Sequence, residues 1–495
     1  MSKEPSKSDV PEIRVSVVHD VPAASEGRYV LYWMTAFRRT AWNFSLQRAV
    51  DWAKALGKPL LVVETLQADH RWASERHYAL VLEGMADNAA RFKQFDVRYY
   101  PFVERSAGEA AALVAKLAGR ACVVVADDYP IRRFVEQSRQ AASTIQVRME
   151  RVDANGLLPL RATDQVFATA FALRRFLQKT LPEHLLDFPK PNPLARAGLK
   201  RLSGLPRELQ ERLPAASARM LSAEAEALAP LPIDHEVTPV AMPGGASAAR
   251  KRLQEFLGRK LARYATERNH PGLDGTSGLS PYLHVGQIGV HEIFDALARA
   301  EDWAPDRLSS NTSGKREGWW GMSESAEGFL DELVTWREVG FNRSAAGDDY
   351  DRYESLPDWA RETLEAHSRD RREYVYSLEE LEQARTHDQL WNAAQTELVE
   401  QGRIHNYLRM LWGKKILEWS AHPRDALEAM IELNNKYALD GEDPNSYSGI
   451  FWVLGRYDRP WGPERPIFGK IRYMSSENTL KKLKLGDYLE RMEKR

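Results

Sequence analysis

The stretch THDQLWNAAQTELVEQGRIHNYLRMLWGKKILEWS, Thr386–Ser420, places three tryptophans, two histidines and two arginines on or beside two helices broken at Gly402. On the second helix His405, Arg409, Trp412, Ile416 and Trp419 follow at spacings of four, three, four and three, which stacks them on one face. Periodicity alone makes this an aromatic core face whose arginine pairs with some acid. The alternative is a redox-active wall beside a flat cofactor, completed by a loop carrying Asn434, Asn435 and Asp440. The rest of the chain has to decide between them.

With 495 residues the chain has room for two or more domains with large cores. Its 69 basic and 70 acidic residues nearly cancel, so a nucleic acid has to be met by a local patch. The single cysteine, Cys122, excludes an internal disulfide framework and cysteine-rich metal sites, and its apolar run ACVVVA predicts a buried structural thiol. No window reaches the ~18 apolar residues of a membrane span, and the polar start MSKEPSKSDV does not read as a signal peptide. A cytoplasmic protein without membrane contact is the expectation. Ten of the fourteen tryptophans, from Trp303 to Trp461, fall in the second half, a supply of flat side chains suited to a buried planar ligand or stacked bases as well as to a core.

In the first half, strand-like runs Tyr29–Met34, Pro59–Glu64, Val97–Phe102 and Ala121–Ala126 alternate with helical patterns around Asn43–Ala55, Tyr78–Phe92 and Gly108–Ala118, and Gln146–Val152 reads as a fifth strand. That order predicts a Rossmann-like parallel sheet covered on both faces. A proline-rich connector follows over residues 181–245. From residue 246 the pattern is almost wholly helical: Ser247–Glu267 reads as one helix, and Asn269–Ser280 and Asn434–Ser448 as irregular loops. The expected organisation is an N-terminal segment 1–26, an α/β domain 27–180, a linker 181–245 and an all-α domain 246–495. The tail from Arg456 interleaves Arg459, Arg465, Lys470 and Arg472 with Tyr457, Trp461, Phe468 and Tyr473, a mixture that holds phosphates and stacks bases.

An α/β domain, a long linker and a tryptophan-rich helical domain together resemble the photolyase/cryptochrome family. The segments LSPYLHVGQI (279–288), THDQLWNAAQ (386–395), LRMLWGKKILEW (408–419), LDGEDPNSYSGIFW (439–452) and ERPIFGKIRYM (464–474) are similar to the class II cyclobutane pyrimidine dimer photolyases, in the same order, as is YVLYWMTAFRRTAWNFSLQRAVDWA near the start. The resemblance implies a light-driven lyase that splits thymine dimers in ultraviolet-damaged DNA using reduced FAD, acting as a monomer. It implies that Tyr264, Thr276, Ser277, Leu279 and Ser280 grip the FAD diphosphate, that Gln287 and Arg409 line the flavin, that Asn434 faces flavin N5, and that Asp440 pairs with Arg409. Hydroxyls and backbone N–H groups in a Gly-Thr-Ser-Gly loop are chemically apt for an anion.

By the same resemblance Trp412, Trp391 and Trp419 carry electrons to the flavin, with Tyr376 nearby; their order is left open, Trp412 being the candidate nearest the flavin. Glu332, Trp336, Met410 and Trp452 are implied for the dimer pocket, Arg268 and Asn269 for lesion or phosphate contact, and Arg459 and Arg472 for the emptied duplex. Two places depart from the class wording: Glu338–Tyr353, and Asn406 where Gly is usual. An antenna chromophore, deazaflavin or folate, would fit a crevice in the first domain. The rival readings are a cryptochrome-like flavin photoreceptor without repair and a flavin-independent nucleic-acid-binding protein.

Overall fold

A computed structural model describes residues 8–68 and 70–493 of the chain; the first seven residues of the polar start lie outside the described residues. The β-prone runs form strands because their apolar residues can be buried on both sides. Tyr29–Met34 (β2), Leu60–Leu66 (β3) and Ala121–Asp127 (β5) are buried at every position. With Val15–His19 (β1), Arg98–Val103 (β4) and Arg148–Val152 (β6) they make one six-stranded sheet in the order β1-β6-β5-β2-β3-β4. Strands β2 to β6 pair in parallel, as the alternation of strand and helix predicts.

The antiparallel edge strand β1 was not expected, since VSVVH has no fully buried position to mark it as a core strand. Helices Phe44–Leu56 (α1), Glu75–Phe92 (α2), Glu109–Ala118 (α3) and Arg132–Thr144 (α4) complete the βαβ alternation. Asn43 and Ser74 cap the first two, accepting hydrogen bonds from Leu46 N–H and His77 N–H.

At the C-terminal end of the sheet the loop leaving β2 turns back over the strand ends. Asp127, the last residue of β5, holds it there: its Oδ2 accepts from the N–H groups of Thr35, Ala36 and Phe37, each at 2.9 Å, and its Oδ1 accepts from the Tyr32 hydroxyl at 2.8 Å. Because β2 has β3 on one side and β5 on the other, this is where the strand order reverses, the place at which open α/β sheets form a ligand crevice.

The chain divides into two compact units. The first comprises the chain through Asp164, Thr180–Gln254 and Leu279–Pro305; the second comprises Gln165–Lys179, Glu255–Gly278 and Asp306–Arg495. No helix among the described residues is long and apolar enough to cross a membrane.

The second unit is helical, and the chain from residue 246 onward shows two departures from simple periodicity. The single helix expected over Ser247–Glu267 is broken: an α-helix Ala246–Glu255 passes into a π-helical turn Phe256–Lys260, a 3-10 turn and the short helix Tyr264–Glu267. A second π-helical stretch, Asp331–Trp336, lies between Glu324–Leu330 and Arg337–Ala345. Such turns insert a residue and rotate everything after them, and they concentrate at functional sites.

Asn434 and Asn435 also differ from expectation. They sit on the helix Pro423–Tyr437, and most of the supposed loop beyond it is the helix Pro444–Val453, started by Asp443 as cap and Pro444 in its first turn.

Gly340 lets two of these helices meet. A Cβ there would lie 2.6 Å from the Pro444 carbonyl oxygen and 2.9 Å from Asn445 N, both backbone atoms that cannot turn aside. Gly340→Ala is expected to destabilise the protein by about 1–3 kcal/mol through overpacking. A lowered midpoint in urea unfolding would register this.

Candidate functional site

Gly402, at φ +65°, ends the helix Gln389–Gln401, and His405 caps the next helix, Asn406–Trp419, by accepting from Tyr407 N–H. Asn406 is therefore an exposed first helical residue, where a side chain in place of glycine meets no obstacle. Trp391, Trp412 and Trp419 are all at most 3% exposed. A buried indole needs an acceptor for its N–H, and two of the three find one across the helix pair. Trp412 Nε1 donates to Gln395 Oε1 at 2.8 Å, and Trp391 Nε1 donates to the Trp412 carbonyl at 3.0 Å.

Trp391 then meets Trp419 edge to face, with centroids 5.5 Å apart, and Trp419 meets Tyr376 in the same way at 5.4 Å. The contacts run Trp412, Trp391, Trp419, Tyr376, from the interior outward. Gln395 was not singled out from the sequence, although its position four residues after Trp391 puts it on the same helical face.

Arg409 lies on the same helix, half-buried, and donates to Asp440 Oδ1 at 3.1 Å. Its Nε is buried and has no acceptor among the described residues. Asn434, 1% exposed, gives its amide hydrogens to Ser446 Oγ at 2.7 Å and Asn435 Oδ1 at 3.1 Å. The group it can offer a ligand is consequently its carbonyl oxygen.

A second group gathers around the π-helical stretch. Arg268 donates to Glu332 Oε1 at 2.8 Å and stands 5.7 Å from the Tyr264 ring centre. Burial raises the Glu332 pKa; Asp331 adds to the rise and Arg268 opposes it. Tyr264, Phe256 and Phe329 pack as a trio with centroids 4.7 to 5.7 Å apart, fixing the base of this corner. Asp331 points away, held by Arg174 at 2.8 Å and Arg316 at 3.2 Å. Trp336 and Met410 are partly exposed and Asn269 is exposed.

On the rim, Arg472 lies over both Trp452 (5.7 Å) and Trp461 (4.7 Å), and Arg459 over Trp461 (4.6 Å). Both arginines are exposed.

The expected diphosphate loop is divided: Tyr264, Thr276 and Ser277 belong to the second unit, Leu279 and Ser280 to the first. Gln287, expected to line the flavin, lies in the first unit. It is fully buried there, its Oε1 accepting from Gly245 N–H and its Nε2 donating to the Leu80 carbonyl, both at 2.7 Å. A Cβ on Gly84 would come within 2.2 Å of that Nε2, so this glycine makes the space in which the amide ties its own unit together.

No family model matches the chain. It is 34% identical to the deoxyribodipyrimidine photo-lyase of Methanothermobacter thermautotrophicus over 94% of its own length and 95% of that protein's. It is 33% identical to the deoxyribodipyrimidine photo-lyase of Oryza sativa subsp. japonica, covering 96% of this chain and 89% of the relative. Its fold is similar to that of a class III photolyase from Agrobacterium tumefaciens, with a TM-score of 0.65 and 16% identity, over 96% of this chain and 87% of the other. An α/β unit with a tryptophan-walled helical unit is thus the photolyase type of fold. The chain belongs to the deoxyribodipyrimidine photo-lyase family.

Beneath Trp452 lies a charge that sequence reading passed over. Lys414 is 0% exposed, donates to the Val453 carbonyl, and stands 5.1 Å from the Trp452 ring centre. Burial lowers its pKa to about 7, with Asp458 opposing and Arg472 assisting. The folded state therefore sheds this proton near pH 7 while the unfolded chain keeps it to its ordinary value of 10.5. Stability should rise with pH across that interval, because the unfolded state binds more protons there. Lys414→Met is expected to flatten that rise, as measured by urea midpoints at pH 7 and pH 9.

Proposed function

We propose that these residues divide the work of a class II photo-lyase that repairs cyclobutane pyrimidine dimers in DNA. The family reaction is light-driven, and its cofactor is FAD. When bound and reduced, the flavin supplies the light-excited electron that opens the cyclobutane ring and takes that electron back. The observation that carries the assignment is the half-buried Arg409, tied to Asp440 on one side and left with a buried, unanswered Nε on the other. A buried donor of this kind fits an anionic or carbonyl-bearing ring. The carbonyl of Asn434, its amide hydrogens already bound, fits a ring N–H. Together they favour the reduced, N5-protonated form of the cofactor. Tyr264, Thr276 and Ser277 are assigned to its diphosphate.

Glu332, Trp336, Met410 and Trp452 are assigned to the dimer. The raised pKa of Glu332 brings it nearer to the protonated state in which a carboxyl group can donate to a base carbonyl as well as accept from a base N–H. Arg268 holds that carboxyl in place and adds a cation toward phosphate. Flipping the lesion out costs on the order of a few kcal/mol, less for a poorly stacked dimer, and Arg459 and Arg472 are assigned to the gap it leaves. An antenna chromophore, deazaflavin or folate, is assigned to a cavity of about 420 Å³ in the first unit. It is lined by Thr40 and Trp42 from the loop after β2, and by Asn88, Arg91, Arg250 and Glu292.

Incubating the reduced, FAD-bound protein with a dimer-containing oligonucleotide under blue light is expected to restore base absorbance, with no recovery in the dark. Flavin binding without light-dependent recovery would overturn the lyase reading in favour of a photoreceptor. Trp412→Phe is expected to abolish photoreduction of the oxidised flavin while chemically reduced enzyme still repairs. Photoreduction equal to that of the parent would remove Trp412 from the inner end of the route.

A further inference from the structure

The row of buried indoles does not stop at Trp419. Tyr376 is held from two directions by one residue: its hydroxyl lies 2.7 Å from His387 Nδ1, to which it donates in the Nε2–H tautomer, and accepts from His387 backbone N–H at 3.1 Å. The His387 ring lies 5.3 Å from that of Trp419 and is stacked on Tyr374, with centroids 3.9 Å apart. Tyr374 is 41% exposed and parallel to Tyr376 within 1°. His387 is itself exposed. This cluster joins a buried redox row to water through a phenol that already shares its proton with a base.

We propose that His387 is the proton acceptor for Tyr376, so that an electron vacancy created by light in the tryptophan row comes to rest on this tyrosine rather than on Trp419. The inference rests on the proposed route through Trp412, Trp391 and Trp419, with a photoexcited oxidised flavin as the oxidant. In the step, the Trp419 radical cation takes one electron from Tyr376 and is reduced to neutral indole. The Tyr376 O–H bond breaks, and its proton crosses the 2.7 Å hydrogen bond to form an N–H bond at His387 Nδ1.

The products are a neutral tyrosyl radical and an imidazolium, which returns a proton to water from Nε2. A phenol that loses an electron becomes strongly acidic, and a base at hydrogen-bond distance lets electron and proton leave together. The separated charge then outlasts its return to the flavin, because reversing it requires the proton to come back as well. Tyr374, stacked on the imidazole and facing solvent, shields one face of the pair and offers an outer donor a place of contact.

The test uses the full chain with oxidised FAD bound and no added reductant. Flash excitation is followed by time-resolved absorption and electron paramagnetic resonance, in H2O and in D2O. The parent is expected to give a tyrosyl radical that forms more slowly in D2O. In His387→Gln the tryptophan radical should persist, and tyrosyl formation should slow by about 100-fold, the lower range of what a positioned base contributes. In His387→Ala, added free imidazole should restore the tyrosyl signal, which a merely structural histidine would not allow.

An unchanged flavin spectrum in the dark identifies variants that have folded. Tyrosyl formation in His387→Gln at the parent's rate and with the parent's isotope effect would overturn the proposal while leaving the tryptophan route standing. A parent that yields no tryptophan radical, with Trp412→Phe indistinguishable from it, would overturn both.

Discussion

A buried indole leaves its N–H unbonded only at a penalty of about 1–3 kcal/mol, and Trp391 and Trp412 meet that requirement through the contact between Gln389–Gln401 and Asn406–Trp419. Trp412 finds Gln395 on the neighbouring helix, and Trp391 finds the carbonyl of Trp412 itself. Two bonds in opposite directions fix how the helices face one another. That fixes the order of the three tryptophans and, on the same helix, the direction of Arg409 toward Asp440. The proposed electron route and the proposed cofactor wall thus rest on one packing solution.

What could be read from the sequence follows from which signals survive folding unaltered. The i, i+3, i+4 spacing of Trp412, Ile416 and Trp419 is a property of an unbroken helix, and it holds because Asn406–Trp419 is unbroken. Runs such as YVLYWM and ACVVVA declare strands buried on both faces, and they are. Glu332 and Trp336 carry no such signal: the π-helical stretch shifts their phase, and periodicity of 3.6 misreads every residue beyond it. Gln287 was named through the resemblance alone, and nothing in the sequence signals that both polar atoms of its amide are engaged by the backbone of Gly245 and Leu80 in its own unit. Asn434 opens the polar run that reads as an irregular loop, whereas its side chain and that of Asn435 bond to Ser446 and Tyr447 on the next helix.

The electrostatics of the rim reconcile a net charge of −1 with a nucleic-acid substrate. Arg459 and Arg472, both exposed, rest on the rings of Trp461 and Trp452, which defines their positions while leaving their charge at the surface. Arg268 is treated differently. Its charge is partly answered by Glu332, which keeps a cation and a carboxyl group together at the corner proposed to meet the lesion. Gly340 ties this arrangement to the divergent segment 338–353, because the helix it abuts carries both Trp452 and the Ser446 that orients Asn434.

The carboxylate of Asp127 has a bearing on the history of such proteins. By accepting three consecutive backbone N–H groups it holds the loop after β2 in shape with nothing but the protein's own atoms. On the proposed assignment of an antenna chromophore to the cavity this loop helps to line, the vessel is finished before it is filled. Its contents could then be exchanged or lost over evolutionary time while the container keeps its form, with no rebuilding of the domain.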